Sequence, residues 1–126
     1  LQRQVSPHQE KEKTLDVKVL LVNQADFAQP FPVIKIAFSD KLVGPYTKAS
    51  KPITGKYWAE GPTAINIDGN WIVYFDKYRD HKYGAIQSKD LKTWEDISDK
   101  IEFPKGTRHG SVFKIPAFLF YKLKNE

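Results

Sequence analysis

Two residues with acid–base side chains occupy equivalent places in the sequence. Glu60 precedes Gly61 and His109 precedes Gly110, 49 positions further on. A carboxyl group in a cleft, where walls and neighbours adjust its proton affinity, can act as a general acid or base, and an imidazole at the same station can bind or relay a proton. Pro62 fixes the turn behind Glu60, and Gly61 allows close backbone approach. Tyr57 and Trp58 lie beside Glu60 and offer flat faces to a ring-shaped ligand. Asp76, Tyr78 and Arg79 follow the end of an apolar run on the same side of the unit, and Arg108 flanks His109. His8 and His81 have no such station and read as surface residues, while Tyr46 and Trp94 read as packing aromatics.

The elements that must hold these residues are short and β-like. Apolar, β-branched runs occur at 17–22 (VKVLLV), 33–39 (VIKIAFS), 64–67 (AINI), 71–76 (WIVYFD), 83–88 (YGAIQS) and 111–115 (SVFKI), with further strands expected at 46–50 and about 93–98. Asp68-Gly69 between two such runs is a hairpin signal, because glycine accepts positive φ. Residues 117–123 (AFLFYKL) fit either a last strand or a short helix, and no long amphipathic helix is apparent.

These runs recur. Ser39 and Leu42 align with Ser88 and Leu91 at a spacing of 49; Tyr46 and Ser50 align with Trp94 and Ser98 at 48; Thr63, Ile65 and Ile67 align with Ser111, Phe113 and Ile115 at 48. A repeat of about 40–50 residues with four short strands is the mark of a β-propeller blade. The expected fold is therefore all-β: a partial five-bladed β-propeller, about two blades of four-stranded antiparallel sheet, over residues 15–126. Residues 1–14 read as a polar, flexible lead-in. With 126 residues the chain is about half of what five such units require. Further blades upstream, or another chain, are the expected partners.

Composition narrows the chemistry. The chain has no Cys, which excludes disulfides, thiol catalysis and Cys–zinc sites. It also has no Met, and is expected to be a processed or partial product. Lys and Arg number 20 against 15 Asp and Glu, a net charge of +5, but the basic residues are scattered, so no nucleic-acid partner is expected. No apolar run approaches the length of a membrane span, and no membrane partner is expected. The P-loop, G-x-G-x-x-G, G-x-S-x-G and H-E-x-x-H patterns are absent.

The segment Trp58-Ala59-Glu60-Gly61-Pro62-Thr63 resembles the E-G-P motif of glycoside hydrolase family 43, the arabinanase and β-xylosidase-like five-bladed propellers. Residues 37–46 (AFSDKLVGPY), 71–83 (WIVYFDKYRDHKY) and 88–111 (SKDLKTWEDISDKIEFPKGTRHGS) are similar to further segments of one branch, so the resemblance runs from about residue 33 to 115. It implies an inverting O-glycosidase acting on arabinose-, xylose- or galactose-containing oligosaccharides or polysaccharides. Glu60 would be the general acid. Trp58, Asp76, Tyr78, Arg108 and His109 would contact substrate, and His109 would help to hold a structural calcium through water, no cofactor being required. The general-base Asp lies in the family's first blade and the Asp that tunes the acid in an earlier one; neither is expected in this chain, Asp26 having a different context. The chain alone is therefore expected to be inactive. An extracellular or periplasmic setting follows from the resemblance only. The alternative is a non-catalytic carbohydrate-binding or self-assembling propeller fragment.

Overall fold

The computed structural model describes residues 18–25 and 30–126. The lead-in, His8 and Asp26 lie outside the described residues. The first sheet pairs β1 (Lys18–Ala25) with β2 (Pro32–Ser39), antiparallel, in a register running from Lys18 opposite Ser39 to Ala25 opposite Pro32. Val33, Ile34, Ile36 and Ala37 are all buried, so β2 is covered on both faces, as its unbroken apolar sequence requires. The second sheet is a four-stranded antiparallel meander in the order β3 (Glu60–Ile67), β4 (Asn70–Lys77), β5 (Lys82–Ser88), β6 (Glu95–Asp96).

The β3–β4 connection is the hairpin expected at Asp68-Gly69. Both residues have positive φ, 50° and 82°, and Asn66 Oδ1 accepts a hydrogen bond from the Gly69 N–H at 3.1 Å. A short 3-10 turn at Tyr78–Asp80 joins β4 to β5. The sheets share one core: Ile34 of β2 is clustered with Ala59, Val73, Phe75 and Ile86, and Leu21, Ile53, Tyr57, Ala64 and Trp94 pack against it. Trp94 thus takes the packing role expected of it. Tyr46 does not join this cluster; its hydroxyl donates to the Leu42 carbonyl at 2.8 Å.

The internal repeat is visible in hydrogen bonds. Ser39 Oγ accepts from the Lys41 N–H at 3.1 Å, and Ser88 Oγ accepts from the Asp90 and Leu91 N–H groups at 3.3 and 2.8 Å. Further on, Ser50 Oγ accepts from the Ile36 N–H, and Ser98 Oγ accepts from the Ala85 N–H, each at 3.1 Å. Residues at a spacing of 48 or 49 therefore do the same work in both sheets.

Two sequence expectations change, and the choice left open for residues 117–123 is decided. Residues 46–50 form no regular strand. The chain from 47 to 54 runs along β2, but the N–H groups of Phe38, Ile36 and Ile34 bond to the side-chain hydroxyls of Thr47, Ser50 and Thr54 at 3.1 Å each, while the N–H groups of Thr47, Ser50 and Ile53 donate to β2 carbonyls at 2.8 Å. Hydroxyls have replaced half of the ladder. Residues 111–115 also form no strand; the Val112 N–H finds the Thr63 hydroxyl at 3.3 Å instead of a backbone partner. Residues 117–123 are helical, within α1 (Ala117–Lys124), with Pro116 at its N-cap.

The loop after β5 is set by Asp90. Hydrogen bonds from the backbone N–H groups of Thr93 and Lys92, at 2.7 and 2.8 Å, hold its carboxyl at about 2, below the ordinary 3.8. A depressed folded-state value stabilises the fold above the unfolded value, and the contribution is lost as the pH falls through about 2. Carbon-detected NMR titration should place the Asp90 midpoint near 2, with the Lys92 and Thr93 amide signals moving together with it. An ordinary midpoint would show that the loop lacks these bonds.

Candidate functional site

Glu60 opens β3 at an irregularity. It pairs with Asp76 of β4, and the register then shifts before Thr63 pairs with Tyr74. Gly61 has φ of 55° at this bulge. The approach to Glu60 is anchored on the first sheet. Ala59 is fully buried, its N–H donates to the Pro32 carbonyl at 3.1 Å, and its carbonyl accepts from Asn23 Nδ2 at 2.9 Å. The first sheet therefore sets where the Glu60 backbone starts, and the second sets how it continues.

Side chains from three places then meet. Trp58 Nε1 donates a hydrogen bond to Glu60 Oε1. Tyr78, from the turn after β4, lies 6.4 Å from the Trp58 ring at 40°. The guanidinium of Arg79 stacks over Trp58 at 4.6 Å, and that of Arg108 stands 5.2 Å from the Tyr78 ring centre. Asp76 is fully buried, and its Oδ2 faces Arg108 Nε at 3.0 Å and His109 Nδ1 at 3.4 Å. The charge is paired, but neither Asp76 oxygen receives a well-aligned hydrogen bond from a described residue.

His109 reaches Glu60 by way of Gly61. A Cβ on Gly61 would stand 2.1 Å from His109 Cδ2 and 2.7 Å from Nε2. The glycine of the Glu-Gly-Pro sequence thus makes room for the imidazole as well as accepting positive φ. The two stations equated by the repeat are neighbours in space. The segment carrying His109 is fastened at two further points: the Gly110 N–H donates to the Tyr83 hydroxyl at 3.2 Å, and the Val112 N–H to Thr63 Oγ1.

The structure brings together Trp58, Glu60, Asp76, Tyr78, Arg108 and His109, all six proposed from the sequence. Their positions differ in kind. Asp76 is enclosed, so it holds Arg108 and His109 and does not face solvent. Tyr57 turns away: its ring stacks on Phe75 at 5.9 Å and 11°, its hydroxyl donates to Asp96 Oδ2 at 2.7 Å, and burial, helped by that bond, pushes its phenol well above the ordinary range. His81 ends the 3-10 turn with φ of 51° and is exposed. The anchoring roles of Asn23, Thr63 and Tyr83 had no sequence signal, since each depends on a contact across more than 25 positions.

The arrangement can position a proton donor. One oxygen of Glu60 is held by an indole N–H, leaving the other for a ligand, beside aromatic faces and two guanidinium groups. Grooves of about 370 Å³ beside His81 and Phe103, and of about 510 Å³ between the sheets at Leu21, Tyr46 and Trp71, are lined by neither Glu60 nor His109. Among the described residues no group of three or more His, Asp or Glu side chains is arranged to hold a metal ion, and no helix is long and apolar enough to cross a membrane. In comparisons with known proteins, no family model, no curated protein and no solved structure matches the chain.

Gly61→Ala tests the packing at the centre of the site. The added methyl must displace the imidazole and force alanine into positive φ, at a cost of about 1–3 kcal/mol. Urea unfolding should show this loss, with His109 ring signals shifted. A variant of unchanged stability with unmoved His109 signals would contradict the contact.

Proposed function

We propose that the chain is the acid-bearing part of an inverting glycosidase of the five-bladed propeller type, acting on arabinose-, xylose- or galactose-containing glycans. The observation that carries this reading is the placement of Glu60, within Glu-Gly-Pro, with Trp58 bonded to its carboxyl and the His109 ring packed on the neighbouring Gly61. The meander β3-β4-β5-β6, together with the equivalent serine hydrogen bonds 48 or 49 residues apart, supports reading each sheet as a blade.

In this mechanism Glu60 donates its proton to the departing glycosidic oxygen. Trp58 fixes the carboxyl by bonding Oε1, so that Oε2 faces the leaving group. Tyr78 and Trp58 offer faces on which a sugar ring can rest. Asp76 keeps Arg108 and His109 at the edge of the cleft. An inverting reaction also needs a carboxylate about 6.5–9.5 Å away to activate water on the far side of the sugar. That Asp is supplied by polypeptide outside this chain, either further blades or another chain. A calcium ion of the kind the resemblance implies would be held through water with the help of His109, and its remaining ligands would come from outside the described residues.

A second reading, a carbohydrate-binding fragment without hydrolysis, is favoured by the presence of binding residues and acid without the base. Two measurements separate these. The 126-residue chain should bind arabino-, xylo- or galacto-oligosaccharides, with NMR shifts at the Trp58 indole and His109, and should not hydrolyse them. In the protein completed by its remaining blades, Glu60→Gln should lower kcat about 10²–10⁴-fold for sugar leaving groups and far less for 4-nitrophenol, which needs no proton. No saccharide binding at all would overturn the reading. Turnover by the isolated chain, lost on Glu60→Gln, would overturn the assignment of the base to other polypeptide.

A further inference from the structure

We infer that the Glu60 site takes a carboxylate-bearing sugar, a uronate residue of an acidic glycan, with Arg79 as the residue that binds its carboxylate. The inference rests on the saccharide reading of the site and adds the charge of its ligand.

Arg79 is exposed in the turn after β4, and its guanidinium lies over Trp58, the residue that holds Glu60. A guanidinium held over an indole keeps its N–H donors in the fork that matches a carboxylate. The acids of the neighbourhood are otherwise engaged. Asp76 serves Arg108 and His109. Asp96 serves Lys77 at 3.3 Å and Tyr57. Asp80, next in sequence and exposed, forms no ion pair with Arg79. Among the described residues Arg79 has no carboxylate partner.

Charge at the site points the same way. Arg108 is balanced by Asp76, whereas Arg79, beside the Trp58 and Tyr78 rings, is in no ion pair with a described residue. Arg108, about 39% exposed, has its Nε turned to Asp76, which leaves its terminal nitrogens as further donors. A neutral pentose would leave the Arg79 guanidinium without an anion, Arg108 being paired with Asp76. A uronate satisfies Arg79 while its ring meets the aromatic pair.

The test compares trigalacturonate and a glucuronate-bearing xylo-oligosaccharide with their methyl esters, binding each to the whole chain by calorimetry. The ester keeps the sugar and removes the charge. The acid form of one of them should bind about tenfold or more tighter than its ester, the gain of one charged hydrogen-bonded contact. Arg79→Gln should abolish that preference, whereas Lys48→Gln, the same charge change on the edge segment of the first sheet, should preserve it. Equal binding of acid and ester overturns this inference and leaves the saccharide reading standing. So does a preference that Lys48→Gln reduces as much as Arg79→Gln, because it would then reflect net charge. No binding of acid, ester or neutral oligosaccharide overturns both.

Discussion

Asp76 is a carboxylate with no exposure to solvent, placed in strand register with Glu60. A buried charge costs several kcal/mol unless an opposite charge comes to it. Here the Arg108 guanidinium does so, from a segment more than thirty positions later, with the His109 imidazole beside it. That one requirement brings the segment from Thr107 to Val112 across the end of the second sheet, where Tyr83 and Thr63 catch its backbone. The imidazole then occupies the space that Gly61 leaves open, beside Glu60. The composition of the site follows from satisfying a charge that the fold has enclosed.

The two sheets contribute differently. The second carries the acid, the buried carboxylate and the aromatic and cationic side chains. The first carries none of these, yet it determines where β3 begins, through the two hydrogen bonds to Ala59. The shared core of Ile34, Val73, Phe75 and Ile86 makes that relationship rigid. Packing at interior density transmits small displacements, so an error in the first sheet would be felt at Glu60. In the proposed reaction this rigidity has a purpose, because a proton donor must meet a glycosidic oxygen within hydrogen-bond reach.

Much of this was legible in residue order. β-Branched runs gave the strands of both sheets, Asp68-Gly69 gave the hairpin, and the 48–49 spacing gave the equivalence of Ser39 with Ser88 and of Ser50 with Ser98; Glu60 opens a strand and His109 does not. What escaped has physical causes. Thr47, Ser50 and Thr54 look like strand residues, but their hydroxyls compete with the backbone for the β2 edge. Residues 111–115 have the alternation of a strand, but the Val112 N–H meets the Thr63 hydroxyl and no ladder forms. In 117–123 the periodicity of so short an apolar run does not separate helix from strand. Asp76 was legible as a polar residue at a strand end, but its burial was not, since it depends on residues far away in sequence.

The contact on which the account turns is that between His109 and Gly61, held in place by Asp76. The most direct measurement is a nuclear Overhauser experiment on the 126-residue chain and on its Asp76→Asn variant, reading the proximity of His109 Hδ2 to the Gly61 Hα protons. The account predicts a strong cross-peak in the native chain and its weakening or loss once the buried charge is removed. A native chain without that cross-peak, or one whose cross-peak is unaffected by Asp76→Asn, would contradict it.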